Sequence, residues 1–146
     1  MSALVHYTQH RIMPFKRQCH IFVGESVESI MASSLYLECP HRHPNTDLGN
    51  GKGAHAMLTF HEEKNRPLLL FTREGFTPGV ASHEALHALC MVLSGMFVPS
   101  GKCLDTPLTA DTNEVWAYCI EDLVDAIVSA VANYDAALKA DEGSGI

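Results

Sequence analysis

The sequence predicts a single α+β domain in which a small, mostly antiparallel sheet packs on two helices. Its 146 residues are 47% hydrophobic and 18% charged, which is the make-up of one soluble globular domain. Short apolar runs bounded by Gly, Pro and Asn indicate strands, and two later segments with apolar residues at helical spacing indicate helices. We therefore expect one domain over residues 1–140 and a flexible tail over residues 141–146.

The first half of the chain contains one predicted strand, one short helix and a long loop. Residues 18–23 are apolar at their centre and are followed by Gly24, which predicts a strand that ends there. Apolar residues recur at helical spacing over residues 25–37, which predicts a short helix. Residues 39–53 are rich in Pro, Asn, Asp and Gly, so we expect an irregular loop.

Two further strands and a helix are predicted in the middle of the chain. Residues 54–60 and 67–72 are apolar runs joined by a polar stretch, which indicates a β-hairpin. Thr77 and Pro78 then supply an N-cap and a first-turn proline, so a helix is expected from Pro78 to residue 93 or 96. Because its second half is apolar on nearly every side, we expect this helix to pass through the core.

The last predicted element is a long helix that starts at Asp111 or Thr112 and ends near Leu138. Asp111 and Glu114 could form a capping box at its start. The predicted buried side consists of residues at helical spacing, namely Trp116, Ile120, Leu123, Ile127 and Val131. The opposite side carries Glu114, Tyr118, Glu121 and Asp125.

Charge, hydropathy and cysteine content limit the environment and the partners. Ten Lys and Arg residues against seventeen Asp and Glu residues give a net charge of -7, which argues against a nucleic-acid or anionic-membrane binder. The longest nearly apolar run, residues 88–98, is too short to span a bilayer, and the N-terminus lacks the apolar core of a signal peptide. We therefore expect a cytoplasmic protein. The five cysteines are odd in number and include no C-x-x-C pair, which favours small core residues over a disulfide framework.

The pattern with the clearest chemical meaning is His83-Glu84-Ala85-Leu86-His87, an H-E-x-x-H sequence on the helix that begins at Pro78. A four-residue spacing puts both imidazoles on one face of a helix, where they can bind Zn²⁺ at about 2.0–2.1 Å. Glu84 lies next to the first ligand and is placed to accept a proton from an attacking water. The alternative is a pair of ordinary histidines on a partly buried helix, with an exposed glutamate between them.

A catalytic zinc site commonly has three protein ligands, so this site needs a third. No histidine follows His87, which leaves a carboxylate. The candidates are Asp105, Asp111, Glu114, Glu121, Asp122 and Asp125. We prefer Glu114, because a ligand in the first turn of a helix can reach a neighbouring helix without burying a bare charge. A solvated capping residue is the alternative for Glu114, and Glu121 is the next candidate.

Other polar residues on the last helix have possible roles around this site. Tyr118 lies one turn beyond Glu114 and could approach the oxyanion that forms when water adds to a carbonyl; a core or rim tyrosine fits the sequence equally well. Glu121 or Asp125 could hydrogen-bond the outer nitrogen of a ligating histidine, or form part of a solvated acidic face. The sequence thus gives Tyr118 a possible catalytic role and leaves the two acids open.

A second candidate metal site is the loop Cys39-Pro40-His41-Arg42-His43, where thiol and imidazole groups alternate. The spacing matches no standard zinc-ligand pattern, so a substrate-facing or exposed loop is the favoured interpretation. His20, His55 and His61 lie in or beside predicted strands and are interpreted as packed or surface histidines.

The order of a strand, a short link, the His83-Glu84-x-x-His87 helix and an Asn113-Glu114-x-x-Ala117-Tyr118 helix resembles a minimal zincin whose third ligand is a glutamate. The chain looks most like small metallopeptidase-like proteins of tailed bacteriophages. This resemblance implies a zinc-dependent peptide hydrolase, with His83, His87 and Glu114 as zinc ligands and Glu84 as general base. It also implies that the strand over residues 67–72 offers its edge to an extended peptide.

Two other functions are compatible with this resemblance. A small phage protein could recognise one host protein, in a host-takeover or anti-defence role, and keep the zinc-bound fold as a binding surface without proteolysis. Structural zinc without turnover is disfavoured, because a closed site usually has four protein ligands, often cysteines. Glu84 favours the hydrolase, whose substrate would be a peptide or a host protein. The sequence identifies neither that substrate nor the oligomeric state.

Overall fold

The computed structural model describes residues 4–13, 17–40, 56–61, 66–97 and 110–144. Within these segments, the side chains of residues 56–61, 66, 91, 93–97, 110–115 and 143–144 are not described. The described strands are β1 (Val5–Ile12), β2 (Arg17–Gly24), β3 (Ala56–His61) and β4 (Arg66–Thr72). The described helices are α1 (Val27–Ala32), α2 (Ser34–Leu37), α3 (Pro78–Phe97) and α4 (Ala110–Ser144).

The strands of the described segments form one sheet in the order β1-β2-β4-β3. β1 and β2 pair antiparallel, β3 and β4 pair antiparallel, and a parallel pairing of β2 with β4 joins the two halves. The chain is therefore a mixed α/β protein with a small, mostly antiparallel sheet and a long C-terminal helix, as the sequence predicts at this level.

Hydrophobic clusters cover both faces of the sheet. On one face, α3 and α4 pack over strand residues that include Cys19, Ile21, Val23, Leu69 and Phe71. On the other face, the α1–α2 segment packs over Phe22, Leu68 and Leu70. Because side chains alternate along a strand, β2 and β4 are buried on both sides, which explains why each is a nearly continuous apolar run in the sequence.

The predicted strands around the centre of the sheet and the start of α3 are confirmed. β2 extends the predicted strand over residues 18–23 by one residue at each end, and β3 pairs with β4 as the predicted hairpin. The backbone N–H of Val80 donates a hydrogen bond of 3.1 Å to Oγ1 of Thr77, so Thr77 is the N-cap of a helix that begins at Pro78.

The predicted helix over residues 25–37 is wrong as a single element, because the chain breaks at Ser33 into α1 and α2. Ser33 has an extended backbone, with φ of -73° and ψ of 152°. Its hydroxyl donates to the carbonyl of Ile30 at 2.6 Å and accepts from the N–H of Tyr36 at 3.3 Å. One serine therefore ends the first helix and caps the second, in the way that serine competes with helix hydrogen bonds.

Strand β1 has no counterpart in the sequence prediction, and α4 is longer than predicted. Only Val5, Tyr7 and Ile12 are apolar along β1, so its alternation is weak. α4 continues to Ser144, beyond the predicted end near Leu138. For the described side chains its predicted sides are confirmed, because Leu123, Ile127 and Val131 are buried, Trp116 and Ile120 pack against the core, and Tyr118, Glu121 and Asp125 are exposed. The side chain of Glu114 lies outside the described part.

The pairing of β4 overturns the implied role of residues 67–72 as a substrate-binding edge. β2 occupies one side of β4 and β3 occupies the other. The sheet edge nearest to β4 is therefore β3.

None of the described helices is long and apolar enough to cross a lipid bilayer.

Candidate metal centre

α3 turns one side to the core and the opposite side to solvent. The buried positions of this helix recur every three or four residues, which is the spacing of one helix face, and they are Ala81, Ala85, Ala88, Leu89 and Val92. His83 and His87 lie on the opposite face, and both are exposed. The two motif histidines are therefore available to a ligand from solvent.

The imidazoles of His83 and His87 are in direct contact. Their Nε2 atoms lie 3.2 Å apart, and the two rings meet edge to face at 80° with centroids 4.7 Å apart. A tetrahedral zinc ion with Zn–N bonds of about 2.0–2.1 Å holds its two nitrogens about 3.3–3.4 Å apart. The separation of the two Nε2 atoms therefore fits two ligands of one zinc ion.

Glu84 is half-buried and directly follows the first histidine of the pair. Successive residues of an α-helix project about 100° apart around its axis, so the side chain of Glu84 leaves the helix beside the face of the two imidazoles. This position suits a proton acceptor next to the metal ligands better than a further ligand on the same face.

The third ligand is a prediction that the described side chains do not test. Glu114 lies in the second turn of α4, which packs along α3, but its side chain is outside the described part, as are those of Asp105 and Asp111 and with them the predicted capping box. Among the described residues, no three His, Cys, Asp or Glu side chains are grouped so that they could hold a metal ion.

The acidic side of α4 faces the end of β1. Met13, Tyr118, Glu121, Asp122 and Asp125 line an open depression of about 470 Å³, and neither motif histidine lines it. Tyr118 is 68% exposed there. Tyr118, Glu121 and Asp125 therefore lie on a solvated acidic face. For Glu121 and Asp125, the sequence allows this interpretation beside that of a hydrogen-bond partner to a ligating histidine.

Asp122, one of the candidate third ligands, is engaged elsewhere. Its Oδ2 lies 2.7 Å from Nε2 of His10, which ties α4 to β1. Beside it, the Cys119 thiol donates to the carbonyl of Met13 at 3.3 Å. Burial, together with the nearby Asp122 carboxylate, raises the pKa of Cys119. The sequence gives no sign of this cluster, because His10 and Asp122 are 112 positions apart and neither belongs to a local motif.

The remaining candidate histidines and the cysteine loop are only partly described. His20 is buried, and its Nδ1 lies 2.6 Å from the hydroxyl of Tyr7, so it is a packed histidine as expected. Burial, and to a smaller extent the nearby Cys39 thiol, raise the pKa of Tyr7. Cys39 is buried in the cluster under α1 and α2. His41, His43, His55 and the side chain of His61 lie outside the described part, so the favoured interpretation of the loop as substrate-facing or exposed stays a prediction.

The cysteines are used as core residues where the structure describes them. Cys19, Cys39 and Cys119 are buried and Cys90 is half-buried, and none of the four forms a disulfide bond. Cys103 lies outside the described residues. The expectation of small core residues is confirmed for the three buried cysteines.

Comparison with known proteins leaves the chain without an assigned relative. No protein-family model, no curated protein and no solved structure matches it. What the chain does must therefore be inferred from its own residues.

Proposed function

We propose that the protein is a zinc-dependent peptide hydrolase of the glutamate-ligand zincin type. The observation that carries this proposal is the 3.2 Å separation of the His83 and His87 Nε2 atoms on an exposed helix face. Two imidazoles at a separation that suits one zinc ion need a third protein ligand to form an open catalytic site. Glu114, in the second turn of the helix that packs along α3, is the proposed third ligand.

The chain's own residues divide the chemistry between them. A zinc ion at such a site lowers the pKa of a bound water to about 7 and polarises a carbonyl. His83 and His87 are the residues that would hold the metal, on a helix face that is open to solvent. The carboxylate of Glu84, beside that face, accepts the proton of the attacking water and later passes it to the leaving amine. Tyr118, the oxyanion donor that the sequence suggests, is 68% exposed in the depression beside Met13, which neither motif histidine lines, so the proposal gives it no catalytic role.

The sheet supplies a surface for an extended peptide. Because β2 and β4 are internal strands, a peptide would add to β3, the edge of the sheet next to β4. Main-chain hydrogen bonds to a sheet edge bind a peptide with little dependence on its sequence. In this proposal the β3 edge takes the role that the resemblance assigns to residues 67–72.

A protein-binding module that keeps the zinc site without turnover is the second candidate. It is favoured by the exposure of Leu86, which is 45% accessible between the two motif histidines on an open helix face. Leu86 lies beside His87 and would give a partner protein one apolar contact next to the metal ligands.

Substituting Glu84 with Gln separates the two candidates. In a hydrolase, Glu84→Gln keeps the fold and the metal but loses turnover, because an amide cannot accept the proton of the attacking water. Wild type and Glu84→Gln would be expressed in a bacterial host, and new protein termini would be compared across the proteome. Cleavage that appears only with wild type supports the hydrolase. No wild-type-dependent cleavage, with equal partner capture by both forms, rejects it in favour of the binding module.

A further inference from the structure

The outer face of α3 has an unusual composition for a helix side that faces solvent. Glu84 is the one Asp, Glu, Lys or Arg in the 20 residues of Pro78–Phe97, and it is half-buried. The described exposed positions between Gly79 and His87 carry no ionised carboxylate, ammonium or guanidinium group. Solvent-facing helix sides normally carry charged residues, as α4 does with Glu121, Asp122 and Asp125.

Among the described residues, this face brings together two side chains that can bind a metal. His83 and His87 supply two imidazole nitrogens, and the described residues bring no third His, Cys, Asp or Glu to them. A closed zinc site has four protein ligands. Two identical faces related by a two-fold axis would supply four imidazoles to one ion.

Charge favours a second copy of the chain as the partner that covers the outer face of α3. The net charge of -7 opposes self-association in general, but the α3 face carries only Glu84 per copy. A zinc ion shared by two copies would bring two positive charges against the two Glu84 carboxylates. Leu86, 45% exposed beside His87, would be covered by its counterpart in the other copy.

We propose that two copies of the chain share one zinc ion through His83 and His87 of each, with the α3 faces packed together. The proposal rests on the proposed zinc binding by His83 and His87, and it adds a form in which that site is closed. A shared ion with four imidazole ligands has no position left for water, so the dimer is a resting form. Zinc in excess of chains fills each site separately and restores the open form.

The test measures molar mass and bound zinc on the full chain as zinc is added. Wild type is expected to double its mass near one zinc per two chains and to return towards monomer when zinc exceeds one per chain. Leu86→Lys places like charges against each other at the contact and is expected to weaken dimer formation at least tenfold, while it still binds one zinc per chain. Val128→Lys is the matched control, because Val128 is 44% exposed on α4 and its variant is expected to dimerise as wild type does.

The possible outcomes separate this inference from the proposed function. A wild type that binds one zinc per chain and stays monomeric at every zinc ratio overturns the shared site and leaves the hydrolase proposal standing. A wild type that binds no zinc overturns both. A dimer that persists in chelator and in His83→Ala also overturns the zinc bridge, because the contact would then form without the metal.

Discussion

Gly24 and Ile30 meet where strand β2 turns into helix α1, so closely that a Cβ added at Gly24 would lie 2.6 Å from Cγ1 of Ile30. Ile30 is fully buried in the cluster under the sheet. The close approach explains why a glycine ends this strand. It also makes the pair a sensitive probe of the packing between β2 and α1.

Gly24→Ala is expected to destabilise the protein by about 1–3 kcal/mol, because Ile30 must leave its packed position to make room. Urea denaturation measures the change in free energy of unfolding. In an Ile30→Ala background the same substitution should cost clearly less, because the obstructing atoms are gone. Equal costs in both backgrounds would show that the two residues do not compete for space.

The stability of the protein is expected to fall at alkaline pH. Burial raises the pKa of the Cys19 thiol far above its ordinary value of 9.0, and burial also raises the pKa of Tyr134 above 10.0. Below pH 9 these groups are protonated in both states, and their contribution to stability is fully present. Above that pH the unfolded chain loses protons that the folded chain keeps, so stability declines by up to about 1.4 kcal/mol per pH unit for Cys19.

Cys19→Ala isolates this effect. The variant loses some packing at every pH, but its free energy of unfolding should decline less steeply between pH 8.5 and about pH 10.5 than that of wild type. Ile21→Val is the control, since Ile21 is a buried neighbour on the same strand face with no titratable group. If the free energy of unfolding falls with pH equally steeply in wild type and in Cys19→Ala, the Cys19 thiol is not the cause of the decline.

The third metal ligand can be tested by comparing two glutamates of α4. Glu114→Ala is expected to weaken zinc binding more strongly than the about 10–100-fold that is typical of an outer hydrogen-bond partner. Glu121→Ala should weaken zinc binding by no more than that range, because Glu121 lines the depression beside Met13, which neither motif histidine lines. A competition titration with a chelating dye compares them, with Asp125→Ala as a second surface control. If Glu121→Ala loses zinc binding and Glu114→Ala does not, the third ligand is Glu121, about two helix turns beyond Glu114.

Local sequence signals predicted the elements whose burial or capping is decided by neighbours in the chain. β2 and β4 are buried on both faces, so their apolar runs were informative, and Thr77 acts within its own helix turn. β1 lies at an edge of the sheet and needs few apolar residues, so its pattern was too weak. Ser33 interrupts a helical pattern through its own hydroxyl, which periodicity does not register.

The candidate site shows the same difference: contacts within one helix were predictable from the sequence, and contacts between distant segments were not. His83 and His87 belong to one helix, so their spacing alone predicted a shared face, and the structure brings the two imidazoles into contact. The pairing of His10 with Asp122 depends on how α4 lies across β1, over 112 positions of sequence. No local pattern contains that information, and the same holds for the choice among the acidic residues of α4.

The central claim is that His83 and His87 together bind zinc, and a zinc competition titration with wild type, His83→Ala and His87→Ala tests it most directly. We expect wild type to take up about one zinc per chain at saturation, and each alanine variant to bind at least a hundredfold more weakly, because one ligand of the pair is lost. His10→Ala, which removes a histidine paired with Asp122, should bind zinc as wild type does. A wild type that binds zinc no more tightly than the double alanine variant would contradict the account.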